Sequence, residues 1–261
     1  MSVQNETNDR VYSSPRRVSE YVARRLTTVE QAVLAELEPA IAGRRVLEIG
    51  CGAGAITREL VALTDALVGI DISPAMVEYC TALLPRGTFA VGDVRDLSDH
   101  GSAAYDVVVA AANVIDVVRH DERPRVVAEL RRVLADGGLL YISTHNRNST
   151  MALDQARRGP KLAIAKNPYH QLRAVASFAQ SSFNRLRLAR YQVFEAEFAI
   201  INDSAHRWSL LHHYITRSAE ENELAQAGFD VVSVRAADGR VLRPDDDDTS
   251  TTELHFVARA V

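Results

Sequence analysis

Several features that mark other protein classes are scarce in this chain. Only two cysteines occur in 261 residues, and Cys51 sits inside a glycine turn, so no disulfide framework is expected and a reducing compartment is the default. Long apolar runs are missing. The longest, Val107 to Val118, is broken by Asn113 and Asp116 and is too short to span a bilayer. The polar start, Met1 to Arg10, has no basic segment leading into an apolar core, so it does not read as a signal peptide. Positive charge is not in excess either: a net charge of -4 argues against nucleic acid or a membrane as a bulk partner. Aromatic residues make up 6%, which is sparse for stacking bases. These absences leave a cytoplasmic protein that needs no membrane and folds unaided as one domain, 1–261. One local absence runs the other way. From Gln155 to Phe194 there is no Asp or Glu, yet Arg157, Arg158, Lys161, Lys166, Arg173, Arg185, Arg187 and Arg190 are all there.

What is present is organised around Val46 to Gly54. An apolar run, Val46 to Ile49, enters three alternating glycines, Gly50, Gly52 and Gly54, and a helical segment follows. That pattern is a nucleotide-binding turn, since glycine lets backbone approach a ligand closely. Upstream, Ser14-Pro15 and the capping box Thr27-x-x-Glu30 announce two leading helices. Downstream come a strand Leu67 to Asp71, a strand ending at Gly92-Asp93, a strand Asp106 to Ala112, a helix Pro124 to Leu134 and a strand Leu139 to Thr144. Strands alternating with helices predict an α/β fold, a doubly wound, mostly parallel sheet. The alternation then fails over 145–216, which reads as a cap: a basic helical insertion, then a hairpin of Tyr191 to Ile201 and Trp208 to Thr216 joined at Asn202-Asp203-Ser204. Ser218-x-x-Glu221 caps a last helix, and Val231 to Val234 pairs with Leu254 to Ala258.

Gly50-x-Gly52-x-x-Ala55 satisfies a dinucleotide fingerprint, which would make a nicotinamide oxidoreductase. Gly50-x-Gly52-x-Gly54 preceded by Glu48 instead resembles the first motif of class I S-adenosylmethionine-dependent methyltransferases. Asp71 fits either ligand, because both carry ribose hydroxyls. The resemblance is extended by Gly92-Asp93-Val94, by Tyr105-Asp106 leading to Ala112-Asn113, by Leu134-Ala135-Asp136-Gly137-Gly138-Leu139 and by the closing antiparallel pair. It covers about 45–144 and 218–261, and it implies a seven-stranded sheet of order 3-2-1-4-5-7-6. It also implies S-adenosyl-L-methionine as cofactor and S-adenosyl-L-homocysteine as product, with Glu48, Gly50, Cys51, Gly52, Gly54, Asp71, Ile72, Met76, Asp93, Val94 and Asn113 around them. The leading helices and cap further resemble the glycine and sarcosine N-methyltransferase type, which adds Tyr21 and Arg25 over the cofactor.

The implied reaction moves a methyl group to a nitrogen or oxygen of a small metabolite by in-line displacement. Alignment and removal of one proton suffice, so no metal is required. Asp116 and Asn146 lie near strands four and five without the spacing of a metal-binding cluster. His145, directly after strand five, is a candidate base as a neutral imidazole. His212, His213 and Tyr214 on the cap hairpin are candidates to roof the acceptor, with alternation sending His212 and Tyr214 to one face and His213 to the other. The basic insertion would suit an anionic acceptor. Two rival functions share the fold: an RNA-modifying methyltransferase using that insertion, and a non-catalytic cofactor-binding protein. Nucleic acid is disfavoured, because Asn167-Pro168-Tyr169 lacks one proline of the base-aminomethylase motif and falls outside its usual place. The cap and the acidic loop Asp245 to Asp248 offer surfaces for a homo-oligomer.

Overall fold

A computed structural model describes residues 3–14 and 18–261. Three helices precede the sheet where two were expected. The additional one, α1 (Val3–Tyr12), has no apolar stripe. It is held by polar contacts instead, with Asn5, Thr7 and Asn8 buried. The Asn8 side chain donates to the Leu211 carbonyl at 2.8 Å and accepts from the Leu211 amide at 3.1 Å. A search for apolar periodicity does not register such a helix. α2 (Val18–Val22) follows; the expected start at Pro15 lies outside the described residues. α3 (Thr28–Ile41) begins at the expected capping box, in which Thr27 accepts from the Glu30 amide and Glu30 accepts from the Thr27 amide. Its Val29, Val33, Leu37 and Ile41 are buried along one side.

The alternating segment builds β1 (Val46–Ile49), α4 (Thr57–Leu63), β2 (Leu67–Asp71), α5 (Pro74–Leu83), β3 (Thr88–Val91), β4 (Tyr105–Ala110), α6 (Arg123–Val133) and β5 (Leu134–Asn146). Successive residues of the central strands pack on opposite faces of the sheet, and both faces are buried. Leu47, Ile49 and Val108 pack in one core layer with Val126 and Leu130 of α6, while Val46, Val107 and Val109 pack in the other against α3 and α4. Both faces being covered explains the nearly unbroken apolar runs. The two final strands, β9 (Phe229–Ala236) and β10 (Glu253–Ala260), close the sheet, β10 lying antiparallel to β5 and to β9. The path β3-β2-β1-β4-β5-β10-β9 is the expected 3-2-1-4-5-7-6 order.

The cap changes the strand count to ten. It contains α7 (Thr150–Arg158), α8 (Pro168–Leu188), β6 (Val193–Phe194), β7 (Phe198–Ile201) and β8 (His212–Ile215). β7 and β8 form the expected hairpin with shorter strands and a longer connection, 202–211. Three successive residues, His206, Arg207 and Trp208, take φ of 47°, 60° and 61° there. Each such left-handed residue costs about 1–2 kcal/mol, and Asn202 offsets part of it by donating to the carbonyls of Trp208 and Leu210 at 2.9 and 2.7 Å. β8 then pairs parallel with the end of β5, His145 opposite Tyr214 and Asn146 opposite Ile215. β10 already occupies one edge of β5, and β4 stops pairing at Ile142 on the other. The hairpin therefore takes over the second edge and carries the sheet past the carboxyl end of β4. α9 (Arg217–Gln226) starts two residues earlier than Ser218-x-x-Glu221 implied, because Thr216, leaving β8, accepts from the Ala219 amide.

Candidate active site

Beyond the carboxyl ends of β1, β2 and β4 lies a cleft of about 1190 Å³, counted to its open mouth. The glycine turn forms one wall, with Gly50, Cys51 and Gly52 in the lining. Gly50 has φ 71°, and a Cβ there would stand 2.5 Å from Val114 Cγ2, so the turn needs glycine for conformation and for space. Gly54 is not part of the lining. It backs onto Leu84 and Cys80 instead and seats the turn on α5.

Two of the carboxylates in the lining, Asp71 and Glu48, have different surroundings. Asp71 accepts from the amides of Gly52 and Ser73, both at 2.8 Å. Burial raises its pKa, and these two backbone bonds pull it back. Glu48, on β1, is 3% exposed, and its Oε2 has no hydrogen-bond partner. Burial, helped by the charge of Asp71 and opposed by the Thr57 hydroxyl and Arg24, pushes its pKa up to about 7. A buried, unpartnered carboxylate oxygen of this kind asks for a cation or a donor.

Ile72, Met76, Asp93 and Val94 also line the cleft. Asp93 is already engaged: Arg95 contacts it at 2.5–2.9 Å and reaches Asp9 of α1 at 3.0 Å. Asn113 ends the β4 wall with φ 56°, directly after Ala112 at φ 57°. Its Oδ1 is buried without a partner. Two adjacent left-handed non-glycine residues are costly, and they stand where the cleft lining meets His145.

The cover over the cleft differs from expectation. Asp9, Tyr12, Tyr21 and Arg24 of the leading segment contribute to the lining, whereas none of the described cap residues does. Tyr21 lies in the lining and Arg25 does not: Arg25 is exposed and bonds the Arg24 carbonyl, while Arg24 turns inward and pairs with Glu30. The cap acts one step behind the lining. His212 Nε2 lies 3.2 Å from the Tyr12 hydroxyl, and His206 Nε2 lies 3.0 Å from that of Tyr21.

His145 also stands one step back, where its Nε2 is 3.4 Å from Asn113 Nδ2. Its Nδ1 donates to Asp116 Oδ2 at 2.7 Å, which fixes Nε2 as the nitrogen turned toward Asn113, since Asp116 can only accept. Asp116 is fully buried and also accepts from the His145 amide, Thr144 Oγ1 and Arg123. Burial lowers the pKa of His145, but the hydrogen bond and charge of Asp116, joined by the charges of Asp203 and Glu253, lift it to about 9. That direction favours the protonated ring at neutral pH, whereas a neutral imidazole was the expectation. It lies between the rings of His212 and Tyr214, with centroids 5.1 and 4.7 Å away. Both of those residues donate to Asp203 Oδ2, at 2.7 and 2.9 Å, so they share a face as the alternation implied. His213 points to the other face, stacked on His120 and Phe198, and burial with the charge of Arg123 holds it neutral.

His145, Asp203 and His212 bring one ligand atom each to within 4.8 Å of one another, a cluster that could take a cation. In the observed geometry hydrogen bonds join these groups, since His212 donates to Asp203 and His145 to Asp116. Asn146 takes no part. It is a staple, donating to the carbonyls of Asp248 and Thr251. Sequence reasoning missed Asp9, Arg24, Arg95 and Asp203, and it weighed Asp116 only as a metal ligand. Arg95 had one signal, its place two residues after Asp93. The others are joined across 6 to 86 residues at spacings that match no helix or strand period.

A parallel sheet in this order, closed by an antiparallel pair and carrying a glycine turn with carboxylates on β1 and at the end of β2, is the architecture that the resemblance to class I S-adenosylmethionine-dependent methyltransferases implied. Residues 46–138 match the family model described as a methyltransferase domain. A ubiquinone biosynthesis O-methyltransferase of Xanthomonas axonopodis pv. citri (strain 306) is 31% identical over 120 residues, 44% of this chain and 48% of that protein. A magnesium-protoporphyrin O-methyltransferase of Rhodobacter capsulatus is 34% identical over 108 residues, 40% of this chain and 46% of that one. The chain thus spans about half the length of the curated relatives it matches. Among solved structures, an S-adenosylmethionine dependent methyltransferase from Mesorhizobium loti superposes with a TM-score of 0.56 at 18% identity, over 88% of this chain and 97% of that one. The 1,6-didemethyltoxoflavin-N1-methyltransferase of Burkholderia thailandensis, solved with 1,6-didemethyltoxoflavin and S-adenosylhomocysteine bound, gives 0.59 at 16% identity, over 98% and 88%. At these identities the structural likeness establishes the fold.

Proposed function

We infer that the protein transfers a methyl group from S-adenosylmethionine to a nitrogen or oxygen of a small molecule. The observation that carries this reading is the buried, unpartnered oxygen of Glu48 in the cleft. A pyrophosphate would repel that carboxylate, whereas a methionyl ammonium beside a sulfonium would satisfy it. When bound, the cofactor supplies a methyl group already activated by positive sulfur. The chain's residues do the rest. Asp71 keeps lone pairs beyond its two backbone bonds to accept from ribose hydroxyls. Asn113 offers its unpartnered Oδ1 on the acceptor side. The leading helices cover the cleft and exclude water. His145 takes the acceptor's proton at Nε2 from the minority of molecules in which it is neutral, and Asp116 holds the ring in that orientation.

The proteins it resembles are named as O-methyltransferases and as an N1-methyltransferase of 1,6-didemethyltoxoflavin, which supports a small-molecule acceptor and leaves both atoms in the reading. An anionic acceptor gains no support from the cleft itself. Arg24 and Arg95, the cations of its lining, are both paired with carboxylates. Nor does the basic stretch 155–194 contribute to the lining among the described residues, so an RNA track would not run into the donor site.

Glu48→Gln tests the reading. At pH 8 it is expected to weaken S-adenosylhomocysteine binding by about 10- to 100-fold, the loss of a charge-assisted hydrogen bond. The ligand-free variant is expected to melt at a higher temperature, because an unpaired buried charge has been removed. Wild-type affinity should rise between pH 6 and pH 8 as Glu48 ionises around 7, and the variant should lose that dependence. Calorimetry giving equal affinities for the two proteins at pH 8 would remove the basis of the assignment.

A further inference from the structure

The longest helix of the cap is built inside out. In α8 only Ser181 and Leu188 are buried, while the solvent side carries Tyr169, Leu172, Val175, Phe183 and Leu186, exposed by 64, 69, 44, 67 and 80%. At 100° per residue these five fall in one sector about 120° wide, which Ala176 and Ala179 complete, over a length of about 26 Å. A surface helix of a globular protein normally turns such a stripe inward. Just before it, Ile164 is 93% exposed. α8 is seated from its other side, where Asn184 donates to the Arg207 carbonyl at 2.9 Å and the Arg185 guanidinium lies 4.6 Å from the Trp208 ring centroid. The stripe is therefore left outside a helix that is held in place.

Charge identifies what covers it. The chain as a whole is acidic, with a net charge of -4, but 155–194 contains no acidic residue. Arg157, Arg158, Lys161, Lys166, Arg173 and Arg190 are exposed in that stretch. Arg158 is paired with Asp154, but the remaining cations leave the face predominantly positive, so a second copy meeting it would oppose like charge to like and self-association is disfavoured. An apolar stripe about 26 Å long, set among basic side chains, matches a leaflet of anionic lipid, where the stripe enters the acyl boundary and the cations meet headgroup charge. We propose that the outer face of α8 docks the protein on an anionic membrane surface. No helix among the described residues is long and apolar enough to cross a membrane, so the contact lies in the plane of the interface. This inference is independent of the methyl-transfer reading.

Cosedimentation of the full chain with phosphatidylcholine vesicles, with and without about one third phosphatidylglycerol, tests it. Binding is expected to the anionic vesicles alone and to weaken as salt is added. Phe183→Asp and Leu186→Asp should each lower the partition coefficient about tenfold or more, while S-adenosylhomocysteine affinity stays as in the wild type and reports an intact fold. Three results would overturn the proposal: no binding to anionic vesicles, binding that the two substitutions leave unchanged, or a dimer in sedimentation that the substitutions abolish while vesicles are ignored.

Discussion

Asp116→Asn is expected to slow methyl transfer by about 10²- to 10⁴-fold, the range for a positioned general base, while leaving S-adenosylhomocysteine affinity nearly unchanged. Both oxygens of Asp116 accept, Oδ2 from the amide and ring of His145, Oδ1 from Thr144 and Arg123. Asparagine has the same shape but must place an NH₂ against one of these donor pairs. Either His145 loses the bond that sets its tautomer, or the network beneath it does. The pH profile separates this from simple damage. Because Asp116 helps hold His145 at about 9, the wild-type rate should climb about tenfold per unit through neutrality and level near pH 9. The variant's profile should level at lower pH. A wild-type rate that is flat from pH 6 to pH 9 would exclude His145 as the base. The same shift has a stability consequence with a fixed sign. A histidine raised from 6.5 to about 9 stabilises the fold fully below pH 6.5, and that contribution, about 3 kcal/mol, fades as pH rises through 9.

Arg123→Met is expected to cost about 3–5 kcal/mol of stability at pH 7.5, because it removes the cation from a group of buried carboxylates. Arg123 is 1% exposed and contacts Asp116 at 3.2 Å, Glu220 at 2.6 Å and Glu223 at 3.2 Å. It sits at the first turn of α6, the end of a helix that disfavours a cation, so its place is set by these partners and not by the helix. Methionine fills similar space and leaves the acids facing one another. Glu220, which burial already pushes up to about 7, would then hold its proton more tightly. Its folded pKa being raised, the variant should recover part of its stability as pH falls toward 5, where protonation quiets the repulsion. Chemical denaturation at the two pH values measures this, and an equal deficit at both would show that packing, not charge, is what Arg123 supplies.

The sheet and the donor side were legible because their signals are local. Gly50 to Gly54, Asp71 and the box Thr27-x-x-Glu30 each place a motif within a few residues of the element it controls. The surroundings of His145 were not legible. His145 was picked for its position after strand five, yet its charge state depends on Asp116 and Asp203, 29 and 58 residues away. Arg24 and Arg25 show the limit of alignment by resemblance: neighbours in sequence face opposite ways on a short turn, and only packing decides which one enters the cleft. α1 was invisible for a different reason, since its buried residues are asparagine and threonine.

That polar helix has a thermal consequence. Lifting α1 from the cleft breaks hydrogen bonds, such as those of Asn8 with Leu211, and the Arg95 link to Asp9, and the helix residues it exposes are asparagine and threonine. Heat-capacity change follows apolar exposure, so the free energy of opening should vary weakly with temperature, whereas that of the layered sheet is strongly curved. Entry and exit of ligand would then answer chiefly to ionic strength, and survival of the fold chiefly to heat. Dissociation rates of S-adenosylhomocysteine measured against salt and against temperature would show the two responses apart.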